Sequence, residues 1–163
     1  MGGWLAYNVS AFRAHPAHDD SGATWAPQES GTPYPLNAVS FVDANIGTAV
    51  GYFGNILRTT DGGATWTPQS SGTYTHLNGV FFADANTGTA VGDSGLVLRT
   101  SDGGATWTQF RETDYDLYAV WLADAQTSWV VGDLGTILHT NTGGDSLTNI
   151  GGDSFPASPA SSR

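Results

Sequence analysis

Short apolar runs alternate with polar, glycine-rich clusters along most of the chain, and the stretch from Leu77 shows the pattern best. Leu77-Asn78-Gly79-Val80-Phe81-Phe82, Thr89-Ala90-Val91-Gly92, Leu96-Val97-Leu98-Arg99-Thr100 and Thr106-Trp107-Thr108-Gln109 are rich in β-branched and aromatic residues. Such runs suit the pleated, half-buried surface of a strand. Asp84-Ala85-Asn86-Thr87-Gly88, Asp93-Ser94-Gly95 and Asp102-Gly103-Gly104 separate them. Asp and Asn side chains bond their own backbone in turns, and glycine supplies positive φ, so these clusters predict tight turns. No segment keeps a helical period over two turns. The pattern predicts four short antiparallel strands in a repeat of about forty residues.

The unit repeats. Asp20-Ser21-Gly22-Ala23-Thr24-Trp25 recurs as Asp61-Gly62-Gly63-Ala64-Thr65-Trp66 and as Asp102-Gly103-Gly104-Ala105-Thr106-Trp107, at the same spacing each time. Leu36–Trp66 and Leu77–Trp107 align without gaps at 22 identities in 31 positions, which marks duplication. A third copy, from Leu117 to Thr140, keeps half of Leu77–Thr100 and then loses the aspartate and the tryptophan. Four strands per repeat of this length is the signature of a propeller blade. The fold class expected is therefore all-β, a partial β-propeller of about three four-stranded blades. Residues 1–25 read as an irregular N-terminus ending in an orphan blade strand. Residues 26–148 hold the blades (approximately 36–70, 77–110 and 117–148), and the Gly/Ser/Pro-rich 149–163 reads as a disordered tail.

The motif Thr-x-Asp-x-Gly-x-Thr-Trp spans the last hairpin of each unit. The carboxylate can accept backbone N–H groups across the turn, the glycines permit positive φ, and the indole is large enough to wedge between sheets. It resembles the Asp-box (bacterial neuraminidase) repeat. That resemblance implies a structural role, away from any active site, for Asp20, Trp25, Asp61, Trp66, Asp102 and Trp107. The longer unit runs Leu-Asn-x-Val-x-Phe-x-Asp-Ala-Asn-x-Gly-x-Ala-Val-Gly, then Leu-Arg-Thr, then Asp-Gly-Gly-Ala-Thr-Trp. Over roughly residues 18–140 it is similar to the photosystem II assembly and stability factor family of plants and cyanobacteria, whose repeat also occurs in non-photosynthetic bacteria. The resemblance implies a seven-bladed propeller without known catalysis, acting by protein–protein contact on the lumenal or periplasmic side. This chain has fewer blades.

Charge narrows the partners. Fifteen acidic residues stand against five arginines and no lysine, a net charge of -10. A phosphate backbone would be repelled, so no nucleic acid is expected. No apolar run approaches the ~20 residues of a membrane helix, so no direct membrane insertion is expected. Met1-Gly2-Gly3-Trp4 opens no basic segment followed by an apolar stretch, so no signal peptide is read there, and the compartment stays unknown apart from what the resemblance implies. Cysteine is absent, which excludes disulfides, thiolate metal sites and cysteine nucleophiles.

Several candidates follow. Arg58, Arg99 and His139 share one repeat column at the end of the third strand. Turned the same way they would form a basic patch able to grip carboxylates, or each could bond neighbouring carbonyls. Tyr34, Tyr74 and Tyr115 precede the first strands, and Asp93 and Asp133 lie in turns between second and third strands. All five fall at the end opposite the Asp boxes, with His76, Asp114 and Asp116, where propellers commonly bind. Asp43-Ala44-Asn45 and its copies open like calcium loops but lack the glutamate that completes one. His15 and His18 lack a third ligand. No metal and no cofactor is expected.

The function expected is a non-catalytic protein-binding scaffold. The alternative is a carbohydrate-binding or glycoside-hydrolysing, sialidase-like propeller, for which Asp93 and Asp133 would supply paired carboxylates. Duplicated positions serve fold more often than chemistry. Three blades cannot close a ring, since closed propellers start at four. Either the chain is part of a larger propeller, or two chains close one ring as a homo-oligomer, or residues 4–13 form a poor fourth blade.

Overall fold

The computed structural model describes residues 27–143 and 148–151. Blade 1 comprises β1 (Leu36–Phe41), β2 (Gly47–Gly51), β3 (Ile56–Thr59) and β4 (Thr67–Gln69). Blade 2 comprises β5 (Leu77–Phe82), β6 (Gly88–Gly92), β7 (Leu96–Thr100) and β8 (Thr108–Arg111). Blade 3 comprises β9 (Leu117–Leu122), β10 (Ser128–Gly132), β11 (Ile137–Thr140) and β12 (Thr148–Gly151). Each is a four-stranded sheet in chain order with antiparallel neighbours. The fold is all-β and matches the partial propeller expected from the repeat. β12 runs on to Gly151, past the point where the sequence suggests a tail, because the chain still pairs with β11 there. The orphan strand expected around Asp20–Trp25 lies outside the described residues.

The first strands lie side by side, β1 next to β5 and β5 next to β9. Alternation along the strands then aims apolar side chains at both neighbouring blades. Val50 and Ile56 of blade 1 pack against Leu77, Val80, Phe82, Ala90, Leu96 and Leu98 of blade 2, with Trp107 at the edge. From the other face of blade 2, Val91 and Val97 pack against Leu117, Val130 and Leu138 of blade 3. The core is thus two layers between three sheets, and the strands of blade 2 read as near-continuous apolar runs because both of their faces are covered.

Glycine decides one contact in this packing. Gly88 pairs with Phe82 across the first hairpin, and a Cβ there would sit 2.6 Å from the phenyl ring. The same holds for Gly47 under Phe41, at 2.5 Å. Absence of a side chain lets the ring lie flat on β2 and β6, where Trp66 and Trp107 meet the two rings edge-on at 6.1 and 6.0 Å. Trp107 therefore braces the first strand of its own blade as well as the joint, and Trp66 braces the first strand of blade 1. Trp107 Nε1 has no hydrogen-bond partner.

Candidate functional site

The two ends of the blades differ in chemistry. At one end lie the Asp-box turns. Asp102 Oδ1 accepts from the Thr106 amide at 2.9 Å and from the Thr100 hydroxyl at 2.7 Å, and Oδ2 accepts from the Thr106 hydroxyl at 2.6 Å. Asp61 repeats the arrangement with Thr65 and Thr59. The Thr106 hydroxyl, then its amide, then Thr100 hold the Asp102 carboxyl down at about 2. Asp61 is lowered for the same reasons. Every one of these bonds closes within its own hairpin. Asp20 and Trp25 lie outside the described residues.

The arginine column sits at this end too, and it reaches sideways. Arg58 donates from Nη1 to the Thr48 hydroxyl at 3.1 Å and from Nη2 to the Ala85 carbonyl of blade 2 at 2.6 Å. Its guanidinium lies 5.2 Å from the centre of the Phe82 ring. Arg99 donates in the same way to the Ala125 carbonyl of blade 3, at 3.0 Å. His139, third in the column, packs its ring 4.8 Å from that of Trp129. Arg58 and Arg99 therefore clip successive blades together. Two further repeated residues do likewise, and the motif reading missed both. Asn37 and Asn78 donate to the Leu77 and Leu117 carbonyls at 2.8 and 3.0 Å. Gln28 and Gln69 donate to the Gly62 and Gly103 carbonyls at 3.2 and 2.9 Å. The available signal was that each pair recurs at the spacing of the repeat itself.

The calcium-like loops are closed on themselves. Asp43 Oδ1 accepts the amides of Asn45 and Ile46, both at 2.7 Å, and Asp84 and Asp124 repeat the turn. These backbone bonds lower the carboxyl pKa of all three. Among the described residues no group of three or more metal-ligating side chains converges.

The opposite end carries the tyrosines, the turn aspartates and a set of residues that the repeat pattern hid. The turns between second and third strands place Phe53, Ser94 and Leu134 at φ 58, 53 and 51, each followed by a positive-φ glycine. That is the geometry of a type I′ turn, which favours Asn or Asp over bulky side chains. The next inter-blade connection supports it: His76 Nδ1 accepts the Phe53 amide at 3.0 Å, and Asp116 Oδ1 accepts the Ser94 amide at 2.8 Å. Around this turn Tyr52 stacks on His76 at 4.3 Å, Phe53 meets His76 edge-on at 5.0 Å, and Tyr34 meets Phe53 at 5.2 Å. Phe53 nevertheless remains 50 % exposed and Tyr74 88 %. Asp93 accepts from Asn78, and Asp133 accepts from the Tyr118 hydroxyl at 2.8 Å. The bond to Asp133 is the main cause of a raised Tyr118 pKa, with the charges of Asp133, Asp116 and Asp93 adding to it. Tyr115 is half-buried. Of the predicted site residues, the structure gathers Tyr34 with His76, and Asp93, Asp116 and Asp133 around Tyr118. The arginine column lies at the other end.

Sheets of this form, joined by repeated clips and closed by Asp boxes, define a set of Asp-box propeller blades. A family model described as photosynthesis system II assembly factor YCF48 matches residues 71–161, more than half of the chain, and the chain belongs to that family. Among solved structures, "YCF48 bound to D1 peptide" is similar, with TM-score 0.65 and 26 % identity over 72 % of this chain and 41 % of that one. YCF48 from Cyanidioschyzon merolae is similar with TM-score 0.61 and 25 % identity over 72 % of this chain and 38 % of that one. An ancestral GH74 enzyme shares the fold, with TM-score 0.57 and 15 % identity over 75 % of this chain and 19 % of the enzyme. The chain spans about two fifths of the length of the YCF48 structures it matches. No curated protein sequence matches it.

Proposed function

We propose that the chain is a non-catalytic scaffold that holds a segment of a partner protein on its inter-blade loop end, on the extracytoplasmic side of a membrane. One observation carries this reading. Tyr34, Tyr52 and Phe53 stay exposed around a left-handed turn that His76 holds in place, and Tyr74 projects from the next connection. Aromatic side chains that are rigid and half-wet are the usual anchors of protein recognition. Asp93, Asp116 and Asp133 stand at the same end, around Tyr118, so a segment combining apolar and basic residues fits best. The similar YCF48 structure holds a D1 peptide, which supports a peptide as the ligand class. Arg58 and Arg99 serve this function by fixing blade to blade.

Fluorescence anisotropy with a labelled D1 peptide tests the proposal. Saturable binding is expected, and Tyr52→Ser with Phe53→Ser should weaken it about tenfold or more, roughly 1.4 kcal/mol, without altering the circular dichroism. Binding unaffected by that pair would move the site elsewhere. Turnover of a glucan or a sialoside by the chain would reject the scaffold reading.

A further inference from the structure

The connections that lead into blades 2 and 3 each use one residue to hold two turns. His76 and Asp116 stand at the same repeat position, just before Leu77 and Leu117. Their carbonyls accept the amides of Asp93 and Asp133, which open the loop-end turns of their own blades, at 3.1 and 2.9 Å. Their side chains reach back to the preceding blades. His76 Nδ1 accepts the Phe53 amide at 3.0 Å and Asp116 Oδ1 the Ser94 amide at 2.8 Å, and both donors are left-handed residues. The geometry is shared, but the chemistry differs. A carboxyl group keeps an acceptor oxygen whether or not it carries a proton. A neutral imidazole has one acceptor nitrogen, and protonation removes it. Because a backbone N–H can only donate, His76 holds Phe53 only as the neutral ring with its proton on Nε2.

We propose that His76 is an acid-sensitive latch on the exposed aromatic end: proton uptake at Nδ1 releases the Phe53 turn, the Ser94 turn stays held by Asp116, and the release weakens the segment bound there. The last step rests on the binding reading above. Imidazole, alone among unperturbed side chains, changes charge just below neutral pH. Once it is charged, Nδ1–H meets the Phe53 N–H donor to donor. The stack on Tyr52, 4.3 Å away, does not resist the change, since a cation is favoured over a phenol ring. Turning the imidazole over within its own plane keeps that stack and points carbon at Phe53 instead. Phe53 is then left at φ 58 without its partner, in a region that bulky side chains avoid. Tyr34 packs on the Phe53 ring, so both anchors lose their fixed place. Among the described residues, the other titratable groups around the latch are Tyr34, Tyr52 and Tyr74, and Asp93, whose carboxylate Asn78 holds. Phenols titrate well above this range and carboxyl groups well below it.

Nuclear magnetic resonance of the full labelled chain, from about pH 7.5 to about pH 5, tests the latch. The Phe53 amide proton should lose its hydrogen-bonded shift with the midpoint of the His76 ring, and the Ser94 amide should not follow. Anisotropy of the labelled D1 peptide over the same range should show affinity falling several-fold. His76→Asp, which copies Asp116, should remove that dependence whatever its affinity at the upper pH. Should that variant fail to fold, the two wild-type amides decide. A Phe53 amide that ignores the His76 titration overturns the proposal. So does a peptide affinity that stays flat in the wild type, or an acid dependence that survives in His76→Asp. A peptide that binds at no pH, with the Phe53 amide still following His76, overturns the binding reading and leaves the latch on the turn standing.

Discussion

Two kinds of residue hold unusual states at opposite ends of the blades, and they respond to different tests. Asp102 is tied to its hairpin by Thr106 and Thr100, and its carboxyl is depressed from 3.8 to about 2. A group whose folded pKa is depressed binds protons more weakly folded than unfolded. Its contribution is therefore complete above about pH 4 and is lost as pH falls through about 2. Asp102→Asn should lower the urea midpoint at pH 7, and the gap from wild type should narrow steadily toward pH 2. A gap independent of pH would mean that the charge of Asp102 is irrelevant to the hairpin. At the loop end, Phe53 and Leu134 occupy equivalent positive-φ positions. Leu134 is 64 % exposed, and Leu134→Asn should raise stability by about 0.5–1 kcal/mol by easing the left-handed conformation. Phe53→Asn should bring no gain, because its ring packs on Tyr34 and His76. Denaturant midpoints of the two variants decide whether strain or ring packing rules at this turn.

Within the blade, the first hairpin shows how neighbouring residues constrain each other. Phe41 pairs with Gly47 and Phe82 with Gly88, whereas blade 3 pairs Leu122 with Ser128. Once the flat ring is gone, a side chain returns opposite it. Gly88→Ser should therefore cost about 1–3 kcal/mol of overpacking, and Phe82→Leu in the same chain should recover much of that cost. A thermal or urea double-mutant cycle measures the coupling. Additive losses would mean that the ring and the glycine are independent. The strands and turns were legible in the sequence because each Asp/Gly cluster carries its own local chemistry. The Asp boxes were legible for the same reason, their bonds closing within a single hairpin. The arginine column was legible as a column, but not its direction, because the Ala85 and Ala125 carbonyls that draw Arg58 and Arg99 belong to other blades. Tyr52 and Phe53 escaped notice for the opposite reason. They stand where the other copies carry Asp93-Ser94 and Asp133-Leu134, so the repeat pattern averaged them away. The recurring Tyr34, Tyr74 and Tyr115 pointed to the loop end, while its aromatic cluster at Tyr52 and Phe53 is a departure from the repeat.

The whole stack is quasi-one-dimensional, with the main contacts of each blade made to its neighbours. In such an array, stability is a sum of unit and joint terms, so position in the row matters as much as sequence. Blades 1 and 2 are nearly alike in sequence over their common core, yet among the described residues blade 2 has both faces covered and blade 1 only one. Amide exchange should therefore be slowest in β6 and β7 and faster in β2 and β3, although the residues are nearly the same. Blade 3, with Val131 and Ile137 in the open, should exchange faster than blade 2 as well. Exchange measured by mass spectrometry checks this order. Equal protection of the three blades would show that the joints, and not the single sheets, have been given too much weight.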